Sequence, residues 1–219
     1  MSAKMFEPAG RGGLLNSLRY SLYVCVHPLD GFWDLTHEKR GSLGAAHIIV
    51  AATVAVQIFK TTMTSFLFWS FHAEYFNAAM MGLQVIVPLL LWTVANWSLT
   101  TLMDGKGHLR EIYMATSYAL TPYCLITAAM VLFSRIITIE EGAVYQVFNT
   151  FAVVWTAVLI MAAMMMIHDY SPGKMLFSSF LSIVGMGVML FIFLIFFMLI
   201  SDCFAYVVSV VKEILYRMD

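Results

Sequence analysis

The sequence predicts an all-α fold, a polytopic bundle of about five transmembrane helices, and three observations point to it. Apolar residues make up 61% and charged residues 11%, against roughly 45–50% and about 25% in globular proteins. So little polar surface cannot cover a water-soluble fold, and lipid has to do the covering. Apolar runs of spanning length then recur along the chain, since about 20 residues at 1.5 Å rise cross the hydrocarbon. The runs are also continuous, without the ten-residue alternation of a membrane barrel. In lipid every backbone donor and acceptor must be satisfied within its own segment, which leaves helices.

The arm formed by residues 1–41 is polar and of mixed charge, with no short apolar core of a cleavable signal peptide. Targeting is therefore expected from the first span. Within the arm Leu14, Leu15, Leu18, Leu22 and Cys25 recur at helical spacing, while Asn16, Ser17, Arg19 and Ser21 fall elsewhere on the wheel. This stripe fits a helix lying in the membrane plane, and equally one docked on a partner helix.

The membrane domain is expected over residues 42–201. Leu43–Phe59 is the first span, interrupted only by His47 and followed by Lys60 and the aromatic stretch Phe66–Phe76. Trp69 and Tyr75 in that stretch suit the headgroup level. Met80–Met103, Ile112–Phe133, Val147–Ile167 and Met175–Ile200 follow, none containing a charged residue. Pro88 and Pro122 each remove a backbone donor, so kinks are expected in the second and third spans, the latter near Tyr118. Ala115 and Ala119, and Ser178, Ser182 and Gly185, have the spacing that lets helix backbones approach. Residues 202–219 form a second amphipathic end, with Phe204, Val207, Val208, Val211, Ile214 and Leu215 as a stripe.

Basic residues set the expected orientation. Lys4, Arg11, Arg19, Lys39, Arg40, Lys106, Arg110 and Lys174 fall on one side, and Lys60, Arg135, Lys212 and Arg217 on the other. Eight against four predicts a cytoplasmic N-terminus and an external C-terminus.

Chemistry needs converging ionisable groups, and the spans hold almost none. No Walker loop, HExxH, GxSxG or intramembrane Asp pair occurs. The loop Asp104-Gly105-Lys106-Gly107 lacks phosphate-cradling spacing, and its glycines suit tight turns. Met161, Met164, Met165 and Met166 resemble a soft-metal path only superficially, because Met is also a flexible packing residue. Cys25, Cys124 and Cys203 are far apart and form no pair or ligand cluster. With a net charge of −1, nothing points to nucleic acid. The expectation is a non-enzyme without cofactor or metal, in contact with the lipid bilayer and with other integral membrane proteins.

Several motifs resemble the Yip1 domain family of five-span membrane proteins, and its bacterial branch in particular. They are His27-Pro28-Leu29-Asp30-Gly31-Phe32-Trp33-Asp34-Leu35 with His37-Glu38-Lys39-Arg40-Gly41, then Ala95-Asn96-Trp97, Asp104-Gly105-Lys106-Gly107 and Tyr118-Ala119-Leu120-Thr121-Pro122-Tyr123. Eukaryotic members carry an Asp-Leu-Tyr-Gly-Pro type motif where this chain has Asp30–Leu35, a departure that speaks against Rab-type vesicle traffic. The resemblance implies a cytoplasmic N-terminus and five spans. It also implies an accessory subunit of a bacterial carbohydrate ABC transporter in the plasma membrane, with a Golgi or endoplasmic reticulum location as the alternative.

The expected function is thus a non-catalytic scaffold that binds other membrane proteins, ABC permease subunits among the candidates. Pro28, Asp30, Gly31, Phe32, Trp33, Asp34, Lys39 and Arg40 are its candidate partner-binding residues, with an interfacial elbow as the structural alternative. Asn96, Trp97, Asp104, Gly105, Lys106, Gly107, Tyr118, Pro122 and Tyr123 complete the candidate set as partner-binding or structural residues. A small channel is the competing class, with Pro88, Pro122, Asn96, Tyr118 and Thr121 facing a hydrated midplane. Membrane shaping or trafficking through the two amphipathic ends is a third.

Overall fold

Long apolar segments with few breakers become helices here, and the chain places its turns where polar residues and glycines cluster. The computed structural model describes residues 13–68, 76–103 and 105–218. Within them α1 (Leu14–Val26) and α2 (Pro28–His37) form a helical elbow ahead of the membrane helices. Next come α3 (Leu43–Met63), α4 (Ala78–Leu102), α5 (Leu109–Ala119) and α6 (Thr121–Phe133). A single 3-10 turn, Ile139–Glu141, leads into α7 (Gly142–His168), and α8 (Pro172–Met218) closes the chain. The described residues contain no strand. Five stretches are long and apolar enough to cross a membrane: α3, α4, α5 with α6, α7, and α8. The expected five-span helical fold is present, with bounds within about five residues of those expected except at the end of α8, which runs past Ile200 to Met218. Lys4 and Arg11, Trp69 and Tyr75, and Asp104 lie outside the described residues.

Side chains close the helix starts. Ser42 Oγ accepts the Ala45 N–H at 3.1 Å to begin α3, and Asn77 Oδ1 accepts from Ala79 and Met80 to begin α4. Glu111 reaches back to the His108 N–H at 3.0 Å at the start of α5. Each satisfies a donor that a helix terminus leaves unpaired.

The two prolines behave differently. At Pro122 the third span breaks, with α5 ending at Ala119 and α6 starting at Thr121. Pro122 leaves the Tyr118 carbonyl without its helical N–H donor, and the Thr121 hydroxyl donates to that carbonyl at 2.8 Å instead. Pro88, by contrast, sits inside an unbroken α4, so the kink expected there does not divide the helix. A proline in a membrane helix is tolerated where neighbouring groups and small adjustments absorb the lost bond.

The core gathers Tyr20 and Val24 of α1, Phe32 and Leu35 of α2, Ala45, Ala46 and Ile49 of α3, Ile112, Ala115, Tyr118 and Ala119 of α5, and Leu159, Ala163 and Met164 of α7. Ala115 and Ala119 are fully buried, so their close approach is made within this chain. The same holds for α8, whose Ser178, Ser179 and Ser182 are buried, while a Cβ on Gly185 would lie 3.0 Å from Leu99 of α4. Met164 points into the core and Met161 outward, so the methionines do not line a common path.

In α1 the buried face is Ser17, Tyr20, Ser21 and Val24, with Leu18 and Cys25 packed partly against the core. Leu14, Leu15 and Leu22 are exposed and left to the surroundings. At the other end the fifth span and the tail form a single helix, continuous from Pro172 to Met218 without a break at residue 202.

Candidate functional site

The segment His27–Arg40 is built around helix α2, Pro28–His37. Pro28 occupies its first turn, where its fixed φ is already helical, and Asp30 lies in the same turn, where a negative charge complements the helix dipole. Gly31 lets α2 approach α1 closely, since a Cβ there would lie 3.0 Å from Val24 Cα. The Tyr20 hydroxyl donates to the Gly31 carbonyl at 2.7 Å, locking the two helices. Phe32 and Leu35 are buried, and α2 packs on α7.

On the opposite side Trp33 is 45% exposed and stacks on His37 at 4.6 Å. Asp34 and Glu38 both pair with Arg40, the former at 3.4 Å. Burial pushes the Asp34 carboxyl above the usual carboxylate range, against the pull of Arg40, with Glu38 and Asp30 adding to the rise. Lys39 takes a positive φ of 52° to turn the chain towards α3. The motif therefore divides into an inward half (Gly31, Phe32, Leu35) and a surface half (Trp33, His37, Lys39).

A second cluster forms where α4 and α7 finish. His168 is 2% exposed. Asn96 Nδ2 donates to Ser182 Oγ at 3.2 Å, which leaves Asn96 Oδ1 to accept from His168 Nε2 at 3.0 Å. The other ring nitrogen, Nδ1, accepts the Gly107 N–H at 3.2 Å. This network assigns the neutral Nε2–H tautomer and occupies both nitrogens.

Glycine is required at two points of the loop wrapped around that ring. A Cβ at Gly105 would lie 2.8 Å from His168 Nδ1, and one at Gly107 would collide with Ile167 and come within 2.7 Å of His168 Cε1. Tyr170 stacks on His168 at 5.2 Å, donates to the Met103 carbonyl at 3.1 Å, and carries Lys174 Nζ 4.5 Å over its own ring. Outside, Lys106 pairs with Asp169 at 2.8 Å, and that hydrogen bond holds the Asp169 carboxyl below its ordinary range. The arrangement latches the α4–α5 loop to the α7–α8 loop. A histidine with both nitrogens engaged has none free for proton transfer or a ligand.

The remaining candidates separate. The Tyr118 hydroxyl accepts the Ser42 N–H at 3.2 Å, joining α5 to the start of α3. Tyr123 donates to Gln57 Oε1 at 2.8 Å. Trp97 is 42% exposed on the outer side of α4. Asn96 and Tyr118 are thus held in different hydrogen-bond networks.

The family model described as the Yip1 domain matches residues 22–201, well over half of the chain. The chain belongs to the Yip1 domain family. No curated protein matches it, and no solved structure does. The Yip1 domain match takes in α2, the His168 latch, the Tyr118 junction and the first part of α8, and it ends where the tail begins. His168 itself was not legible as a site residue, because its neighbours Asp169-Tyr170-Ser171-Pro172-Gly173 read only as a loop. Its partners Asn96 and Gly107 lie 72 and 61 residues away in sequence.

Proposed function

We propose that this Yip1 domain protein is a non-catalytic accessory protein that holds other integral membrane proteins laterally, its partner in a bacterial plasma membrane being the permease of a carbohydrate ABC transporter. One observation carries the reading. Every described side chain from Leu190 to Arg217 is exposed, so the second half of α8 has no packing partner among the described residues. At 1.5 Å per residue its 47 residues run to about 70 Å, against about 30 Å of hydrocarbon. Counted from Lys174 at one interface, roughly 20 residues suffice to cross. The stripe Phe204, Val207, Val208, Val211 and Ile214 lies beyond that length, with Asp202, Lys212 and Arg217 around it. Lipid covers an apolar helix inside the bilayer, whereas an apolar stripe beyond it is best covered by protein. The surface half of α2, with Trp33 exposed, offers a second contact at the other end of the chain.

Affinity purification of the tagged chain from its native membrane in mild detergent tests the proposal. Stoichiometric recovery of a permease with its ATPase is the expected result, and recovery of the chain alone would contradict it.

A further inference from the structure

Three helices present polar residues to one lateral cleft. On α3 they are Thr53, Gln57, Lys60 and Thr61, with Thr64 just past its end, and on α7 Gln146, Asn149 and Thr150, with Gln84 on α4 facing them. Each set recurs at helical spacing, so each helix turns one stripe towards the same space. The space comprises two connected volumes of about 590 and 500 Å³ that share Gln57, Gln84 and Val153. Small-molecule sites fall in the range of roughly 300–1,000 Å³. Gln84, Val153 and Val154 are exposed, so the cleft opens sideways, where lipid surrounds the bundle.

The cleft is graded along its length. The end beside the α3 terminus carries Lys60, Thr64, Gln146 and Asn149. The deep end is walled by Val85, Leu89, Ile160 and Met186. The Lys60 ammonium is in no ion pair among the described residues. Pro88 lines the same space, and by lacking an N–H it leaves the Gln84 carbonyl without its helical donor. An ammonium without a partner inside a bilayer is costly. An occupant with acceptors at the Lys60 end and an apolar remainder supplies that partner and matches the apolar walls of the deep end.

We infer that this cleft binds an anionic phospholipid, its phosphate at Lys60, its ester oxygens within reach of the cleft's donors, and an acyl chain along Val85, Leu89 and Ile160. The gradient matches a lipid lying in its ordinary orientation, with the head level with the helix ends and the tail towards the midplane. A lysine at the end of a spanning helix also sits where headgroup phosphates are found.

The test uses the full chain purified in detergent and its thermal unfolding midpoint. Phosphatidylglycerol should raise the midpoint by a few degrees, while phosphatidylcholine with identical chains and inorganic phosphate should leave it unchanged. Lys60→Gln should weaken the phosphatidylglycerol response on the order of tenfold, the loss expected of one charge-assisted contact, and Lys60→Arg should retain it. Should Lys60→Gln fail to fold, Val154→Trp, placed at the exposed rim, should block the response by filling the mouth. A phosphatidylglycerol carrying a photo-reactive acyl chain should label α4 and α7 peptides around Leu89 and Ile160. Equal stabilisation by the two lipids, an undiminished response in both Lys60→Gln and Val154→Trp, or labelling confined to the exposed face of α8 would overturn the inference. Uptake of neither lipid would overturn it too and assign the cleft to a helix of a partner protein.

Discussion

His168 illustrates how one buried side chain can hold two loops. Its Nε2–H is spent on Asn96 and its Nδ1 on the Gly107 N–H. Replacing it by Leu leaves a carbonyl oxygen and a backbone donor unpaired, at about 1–3 kcal/mol each. His168→Leu and Asn96→Leu should each lower the unfolding midpoint in detergent. The double variant should lose less than the sum of the two, by about 0.5–3 kcal/mol of coupling. Gly107→Ala should destabilise through its collision with Ile167 and His168, while Gly173→Ala, with nothing within 4 Å of the added carbon, should not. Thr121→Val keeps the side-chain shape but removes the donor to the Tyr118 carbonyl. It should cost about 1–3 kcal/mol in the same melting assay. The Lys106–Asp169 pair is a smaller matter, because both side chains are exposed and salt screens them. Its contribution is complete above the ordinary Asp range and fades as pH falls through the depressed value.

At the scale of elements, what is legible in a sequence depends on which solvent enforces the pattern. Lipid demands unbroken apolar runs, so α3, α4, α7 and the α5–α6 span could be read to within a few residues. The elbow was harder. Helix α1 hides Ser17, Tyr20, Ser21 and Val24 while Leu14, Leu15 and Leu22 stay exposed, because tight helix contact rewards small residues while lipid accepts the large apolar ones. The polar stripe Thr53, Gln57, Lys60, Thr61 and Thr64 was present at helical spacing, but only its convergence with α4 and α7 makes it a cleft. The expected fifth span ends at Ile200 and a separate tail begins at residue 202, although nothing there breaks a helix. Asp202→Pro should therefore separate the spanning half from the tail. Its melting midpoint should stay near that of the unaltered chain, since residues beyond Leu190 are exposed among the described residues, while partner recovery in an affinity purification should fall.

The whole molecule is a four-span bundle with an elbow packed on one end and a fifth helix attached along α4 by small residues. Its best-satisfied polar groups, at His168, Tyr118 and Tyr20, lie inside the bundle, where they fix the loops and leave little to react. Its unsatisfied surfaces lie outside: the lateral cleft beside Lys60, and the long free face of α8. The central claim is that the tail of α8 is covered by another membrane protein. Site-specific photo-crosslinking in the native membrane, with a photo-reactive phenylalanine in place of Phe204 or Val208, tests it most directly. The account predicts a discrete adduct with an integral membrane protein, identified by mass spectrometry as a permease subunit, and none from the same group placed at buried Phe32. Adducts with lipid alone from both tail positions would contradict it.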